Sequence, residues 1–320
     1  MKLAFVSDSL AHLSFEAVLD LAATQNLQGV EINTGGWSSA PHFDLAAMKS
    51  SVGARTAFRQ AFESRGLEIV ALNANGNQLH PTTGAGQAAC LEDTIRIAGE
   101  IGVKTVCCMS RVPGGAPNDT TPNWIVSSWP PETQTIVKWQ WEEVLLPYWT
   151  GLTSVARECG VERFAIELHG NQLVYNVPWL LQLHAAIGPI IGANLDPSHL
   201  FWMGADPLAA ADALAGAIHH VHAKDTMLNT RMQATTSLLE NGGLLDVAAR
   251  SWSYITLGYG HCEEWWRKFC YRLRMNSYDG WLSIEHEDVM LSRMEGLLKS
   301  VAFLKTLAPA ELADYTPQEI

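Results

Sequence analysis

The forty residues GVERFAIELHGNQLVYNVPWLLQLHAAIGPIIGANLDPSH, Gly160 to His199, decide the fold. Arg163–Leu168 is a short apolar run of strand length, and Pro189–Leu195 is another. Between them Pro178–Ile187 has helical length and apolar content, begins with a proline and ends at Gly188. Strand, helix and strand in this order form a parallel βαβ unit. The same alternation extends outward. Strands are predicted at Lys2–Val6, Gly29–Ile32, Leu67–Leu72 and Lys104–Cys108 before the stretch, and at Ala217–His222 and Trp281–Ile284 after it. Helices are predicted at Ser14–Gln25, Arg55–Arg65, Gly86–Ile101, Trp139–Cys159 and Cys262–Arg274, with Ser14 as a cap and Gly66, Gly102 and Gly160 as stops. Eight strands alternating with helices predict an α/β protein with a single (β/α)8 barrel over residues 1–306, followed by a tail over 307–320.

Such a barrel places chemistry at the C-terminal ends of its strands. Four consecutive strand ends carry Glu167, Asp196, His222 and Glu285, in FAIELHG, GANLDPSH, HHVHAKD and LSIEHED. Three buried carboxylates converging on one mouth are costly without a neutralising cation, so the set predicts one divalent metal. An oxygen-rich set with one nitrogen favours Mn²⁺, then Mg²⁺ or Co²⁺, with Zn²⁺ also admitted. The connections after strands four and seven, residues 110–138 and 225–261, are too long for simple turns and are expected over the mouth.

Composition excludes other classes. Lys plus Arg total 21 against 33 Asp plus Glu, a net charge of −12, which opposes binding to a nucleic acid. The six cysteines include no C-x-x-C pair, so a thiolate metal site is not expected. With no secretory leader and no long apolar run, the chain reads as cytoplasmic, with no membrane partner.

These motifs resemble the xylose isomerase-like barrels, a superfamily of sugar isomerases and epimerases that also contains endonuclease IV. The resemblance covers residues 1–306 and rests on five parts: the Glu ending strand five, D-P-S-H at 196–199, H-x-K-D at 222–225, G-Y-G-H at 258–261 and the Glu ending strand eight. It implies that Glu167, Asp196, His222 and Glu285 hold the metal, and that Glu167 and Glu285 move a proton alpha to a sugar carbonyl through an enediolate. Substrate contacts are expected from His199, Lys224, His80, Trp37 and Trp202. The competing role for Lys224 is an ion pair with Asp225.

His169 lies two residues beyond Glu167, so strand alternation turns both toward the mouth, where a histidine can act as a base. E-L-H at 167–169 also resembles the large subunit of bacterial C-glycoside deglycosidases, which implies β-elimination of a 3-oxo-glycoside as the alternative outcome. Expected partners are therefore a sugar or glycoside, and either further copies of this chain or a small second subunit. An endonuclease IV-like nuclease fits poorly, because strand four ends in CCMSR without a histidine.

Overall fold

The computed structural model describes residues 1–317. Eight parallel strands form one sheet in the order β1-β10-β7-β6-β5-β4-β3-β2, and a bridge between Val6 and Glu31 joins its two ends into a barrel. The barrel strands are β1 (Lys2–Phe5), β2 (Gly29–Asn33), β3 (Glu68–Asn73), β4 (Thr105–Met109), β5 (Arg163–Glu167), β6 (Ile191–Leu195), β7 (Ile218–Ala223) and β10 (Trp281–Ile284). All eight predicted strands are present, each within two residues of its expected ends.

The helices are α1 (Phe15–Thr24), α2 (Leu45–Ser50), α3 (Val52–Glu63), α4 (Gly84–Ile101), α5 (Glu132–Trp139), α6 (Leu146–Cys159), α7 (Val177–Ile187), α8 (Pro197–Trp202), α9 (Pro207–Ala213), α10 (Thr230–Thr236), α11 (Glu263–Met275) and α12 (Arg293–Lys305). Ser14 caps α1 through the N–H of Ala17, and Gly102 and Gly160 end α4 and α6 with φ of 81° and 79°. Those left-handed angles suit glycine because it carries no Cβ. None of these helices is long and apolar enough to cross a membrane.

Two long connections differ from expectation. The helix expected from Trp139 begins at Glu132 and passes through a widened turn, Gln140–Leu145, before continuing as α6. Pro147 stands at the start of α6, where its ring crowds the carbonyl four residues earlier and offers no N–H, so the regular spacing relaxes just upstream. The connection after β7 contains an antiparallel hairpin, β8 (Asp225–Leu228) with β9 (Trp252–Ile255), besides α10. The 23 residues between these strands hide the pairing from a local reading of sequence.

The main apolar core lies between barrel and helices, where Trp149 meets Phe164 edge-on and Trp266 packs on Phe269. Leu307 joins this core and Pro309 accepts from the N-terminal amine, so the start of the expected tail is tied to the barrel.

His219, on β7, gives a pH prediction. Its Nε2 donates to the carbonyl of Pro189 at 3.0 Å. Burial, opposed by that bond and assisted by Arg163, pushes its pKa down to about 4. Above pH 6.5 the ring is neutral in both states. Between 6.5 and 4 the unfolded chain takes up a proton that the folded chain refuses. Stability is therefore lost as pH falls, by at most about 1.4 kcal/mol per unit. Urea melts between pH 4 and 7 should show a shallower slope for His219→Gln than for wild type; parallel slopes would refute the assignment.

Candidate metal centre

The staggered parallel pairing brings the four expected ligands to one mouth: Glu167 pairs with Asn194, two residues before Asp196, and His222 with Ser283, two before Glu285. Glu167 ends β5, Asp196 follows β6, His222 lies near the end of β7 and Glu285 follows β10. One ligand atom from each lies within 4.8 Å of the others. Three of these residues are buried, and Glu285 keeps 16% of its side chain exposed.

Each side chain has a divided task. Asp196 caps α8, Oδ1 accepting from the N–H of Ser198 at 2.8 Å, while Oδ2 is buried without a hydrogen-bond partner. His222 turns Nε2 toward Glu31, 3.1 Å from its Oε1, and leaves Nδ1 buried without a hydrogen bond. That Nδ1 lies 3.7 Å from Glu167 Oε2 and 3.5 Å from Glu285 Oε2. A buried carboxylate oxygen and a buried imidazole nitrogen, both without a hydrogen bond and facing two further carboxylates, match the donor chemistry of a hard divalent cation. Glu31 holds the histidine in the tautomer that leaves Nδ1 free for a metal.

Cationic and donor groups surround the carboxylates. His199 Nε2 donates to Glu167 Oε1 at 2.8 Å, lies 3.2 Å from Asp196 Oδ2, and has its Nδ1 2.9 Å from the Tyr254 hydroxyl. Asn75 Nδ2 donates to Glu167 Oε2 at 2.8 Å. Burial raises the Glu167 carboxyl, but His199 and then His222 outweigh it and hold it well below the usual range. Burial also raises Glu285, and Lys224, 2.9 Å away, with His222 holds it at about 2.

Above this floor lies a cavity of about 630 Å³, bounded by Glu285, His169, Asp8, Tyr254, Arg250 and the indole of Trp37. Trp37 is 56% exposed, so a face is available to a ligand. His169 Nδ1 donates to the Gly170 carbonyl at 2.5 Å, which assigns the lone pair to Nε2. Burial, and then the neighbouring His199, lower its pKa to about 4, so the ring is neutral near pH 7.

Three expected contacts are placed differently. His80 turns its Nδ1 to accept from the N–H groups of Thr82 and Thr83, so it caps its own turn. Trp202 is 6% exposed, stacked flat on Trp252 at 4.7 Å and closed against Gly170, so it packs beneath the loops. Lys224 pairs with Glu285 and Glu287, at 2.9 and 2.5 Å, and not with Asp225. Strand alternation sends Asp225 to the opposite side.

Sequence reasoning missed Glu31, Asn75 and Tyr254. Glu31 is the third of five residues in GVEIN, two before the end of β2, so the strand-end rule passes over it. Asn75 lies two residues beyond β3, and Tyr254 arrives on the hairpin.

Comparison with known proteins places the chain in a family. The family model described as xylose isomerase-like TIM barrel matches residues 19–307. A protein of Bacillus subtilis (strain 168), named uncharacterized protein YfiH, is 44% identical over 308 residues, covering 95% of this chain and 98% of its own. The solved structure titled IOLI protein with a binding zinc atom superposes with a TM-score of 0.66 at 16% identity, over 96% of this chain and 98% of that one. A D-tagatose 3-epimerase-like protein superposes with a TM-score of 0.63 at 16% identity, over the same shares. At these identities the structural likeness is one of fold.

Proposed function

The chain belongs to the xylose isomerase-like TIM barrel family, and from that premise we propose that it is a divalent-metal-dependent enzyme moving a proton alpha to the carbonyl of a keto- or oxo-sugar. The leading outcome is isomerisation or epimerisation, as in the function named for the epimerase-like neighbour. The observation that carries the reading is the pair of buried atoms without hydrogen-bond partners, Asp196 Oδ2 and His222 Nδ1, gathered with the carboxylates of Glu167 and Glu285 below a cavity.

Glu167, Asp196, His222 and Glu285 hold the metal, and their three oxygens and one nitrogen favour Mn²⁺. When bound, the metal supplies a Lewis acid that polarises the sugar carbonyl and acidifies the neighbouring C–H. Glu285 borders the cavity and stays ionised beside Lys224, so its carboxylate accepts that proton. Lys224, buried between Glu285 and Glu287 and 4.1 Å over the Tyr254 ring, holds Glu285 in place. Both oxygens of Glu167 are engaged by His199 and Asn75, which fits a ligand better than a mobile proton carrier. His169 is then the second group able to exchange a proton with substrate.

The cavity lining divides in two. Glu285, Glu287 and His169 lie at the reacting end, while Trp37, Leu244 and Val289 form an apolar outer wall. This suits an uncharged sugar bearing an apolar or aromatic substituent. That shape, with a neutral histidine base at hand, favours one second reading: elimination from a 3-oxo-glycoside, with His169 removing the C2 proton and the group at C1 leaving.

Incubation with a 3-oxo-glucoside in D₂O, followed by NMR, separates the outcomes. Deuterium uptake with the substituent still attached is the expected result for the epimerase reading. Release of the substituent, reduced on the order of 100-fold or more in His169→Ala, selects the lyase. No reaction of either kind at this substrate or at free ketohexoses, with metal bound, overturns the proposal.

A further inference from the structure

Directly beneath the mouth site lies a second constellation, composed differently. Glu31, Cys107, His220 and His222 bring one ligand atom each within 4.8 Å of one another. All four are buried, none exposing more than 1% of its surface. They arise from three strands, β2, β4 and β7, so no motif of the C-x-x-C kind announces them.

Three observations point to a ligand. First, the interior of such a barrel is ordinarily filled by bulky branched residues. Here Cys107 sits in a small buried cluster with Ala4, Val70, Ala71 and Ala165, in which three alanines leave room in the lumen for Glu31 and the two imidazoles. Second, the donors are a thiol, two imidazoles and a carboxylate, a set that suits tetrahedral Zn²⁺, whereas the mouth set has three carboxylates and no sulfur. Third, His220 borders a separate cavity of about 680 Å³ at the N-terminal ends of the strands, lined also by Lys2, Arg163, Tyr278 and Trp281. Through His220 the deep constellation therefore borders the end of the barrel opposite the substrate.

We propose that the barrel lumen holds a second metal, Zn²⁺, bound by Glu31, Cys107, His220 and Nε2 of His222. The bridging role of His222 rests on the reading of its Nδ1 as a ligand of the mouth metal; the deep site itself does not. Nε2 of His220 and of His222 already lie 2.8 and 3.1 Å from Glu31, so modest separation of these groups makes room for an ion. The thiolate and the carboxylate together neutralise a dication in a dry interior. Loading releases to solvent the thiol proton of Cys107, moves the Nε2 proton of His220 to its Nδ1, and, where the mouth metal already holds Nδ1 of His222, releases the Nε2 proton of that ring to leave an imidazolate. One imidazole ring then joins the two centres.

The test uses the whole chain, loaded with Zn²⁺ for elemental analysis and with Co²⁺ for absorption. The expected result is two equivalents per chain and a sulfur-to-cobalt charge-transfer band in the near ultraviolet, which the mouth donors cannot produce. Cys107→Ser and His220→Gln should each drop to one equivalent, and Cys107→Ser should lose the band. If one variant fails to fold, the other decides. Asp196→Asn should lose one equivalent and keep the band. Should it keep both equivalents, the mouth assignment fails while the deep site stands. Absence of the band from Co²⁺-saturated wild type, or its persistence in Cys107→Ser, overturns the proposal.

Discussion

Asp196→Asn is expected to lose the mouth metal while keeping the fold. The two oxygens of this residue do separate work: Oδ1 caps α8 through Ser198, and Oδ2 faces the ligand cluster without a hydrogen-bond partner. Asparagine caps a helix about as well as aspartate, so the carboxamide oxygen can replace Oδ1 and stability should change by less than about 1 kcal/mol. The amide NH₂ then replaces the second oxygen, removing a negative charge and presenting donors where an acceptor is required. Removing an outer partner of a metal ligand typically weakens a site 10- to 100-fold, so loss of a ligand charge should weaken it at least about 100-fold. Proton transfer that relies on the Lewis acid should fall on the order of 1,000-fold or more. Metal titration by calorimetry, a thermal melt and the D₂O exchange assay measure the three quantities together. A variant that retains both metal affinity and exchange refutes the site; one that unfolds shows that Asp196 serves architecture above all.

The largest effect on stability is expected at Asp225. Its carboxylate collects donors from three residues of the G-Y-G-H segment and beyond: Oδ2 accepts from the N–H groups of Gly258, Gly260 and His261 and from the Trp266 indole, at 3.1, 3.2, 2.9 and 3.3 Å. Oδ1 accepts from the N–H of Thr226 and from His261 Nδ1, both at 2.8 Å. Gly260 lies so close to Thr226 that a Cβ would collide with its backbone, which explains a glycine there. A hydrogen bond to a charged group contributes about 1.5–3 kcal/mol, and these are coupled, so their sum is not the expectation. Asp225→Ala should cost roughly 3–5 kcal/mol by leaving several buried donors unpaired. At about 1.5 °C per kcal/mol for a chain of 320 residues, Tm should fall by roughly 4–8 °C. Hydrogen exchange should accelerate first in β8 and β9, whose Tyr254 reaches His199. A Tm within about 2 °C of wild type would show that the network is redundant.

The residues themselves explain how much was legible. Each barrel strand is a short apolar run between turns, and parallel strands buried on both faces keep that pattern whatever lies around them. The closure of the barrel then gathers the strand ends at one mouth, which is why Glu167, Asp196, His222 and Glu285 could be named together from four separate motifs. The hairpin carrying Tyr254 was not legible, because β8 and β9 are four residues each and their pairing spans a loop with no tight-turn signal. His80 and Trp202 are side chains whose chemistry permits contact with sugar and whose neighbours chose otherwise: the N–H groups of Thr82 and Thr83 claim one, the Trp252 ring the other.

Local periodicity and the identity of strand-end residues thus determined the (β/α)8 barrel and the candidate metal ligands, since both follow from positions along single strands. Tertiary structure decided what each ligand does with its second atom. It alone brings Glu31 of β2 against His222 of β7, sets Asn75 and His199 on the two oxygens of Glu167, and gathers Cys107 with both histidines in the lumen. Those partners lie up to 191 residues apart in the chain, and proximity across a closed barrel is a property of strand register and closure, which no local stretch of sequence contains.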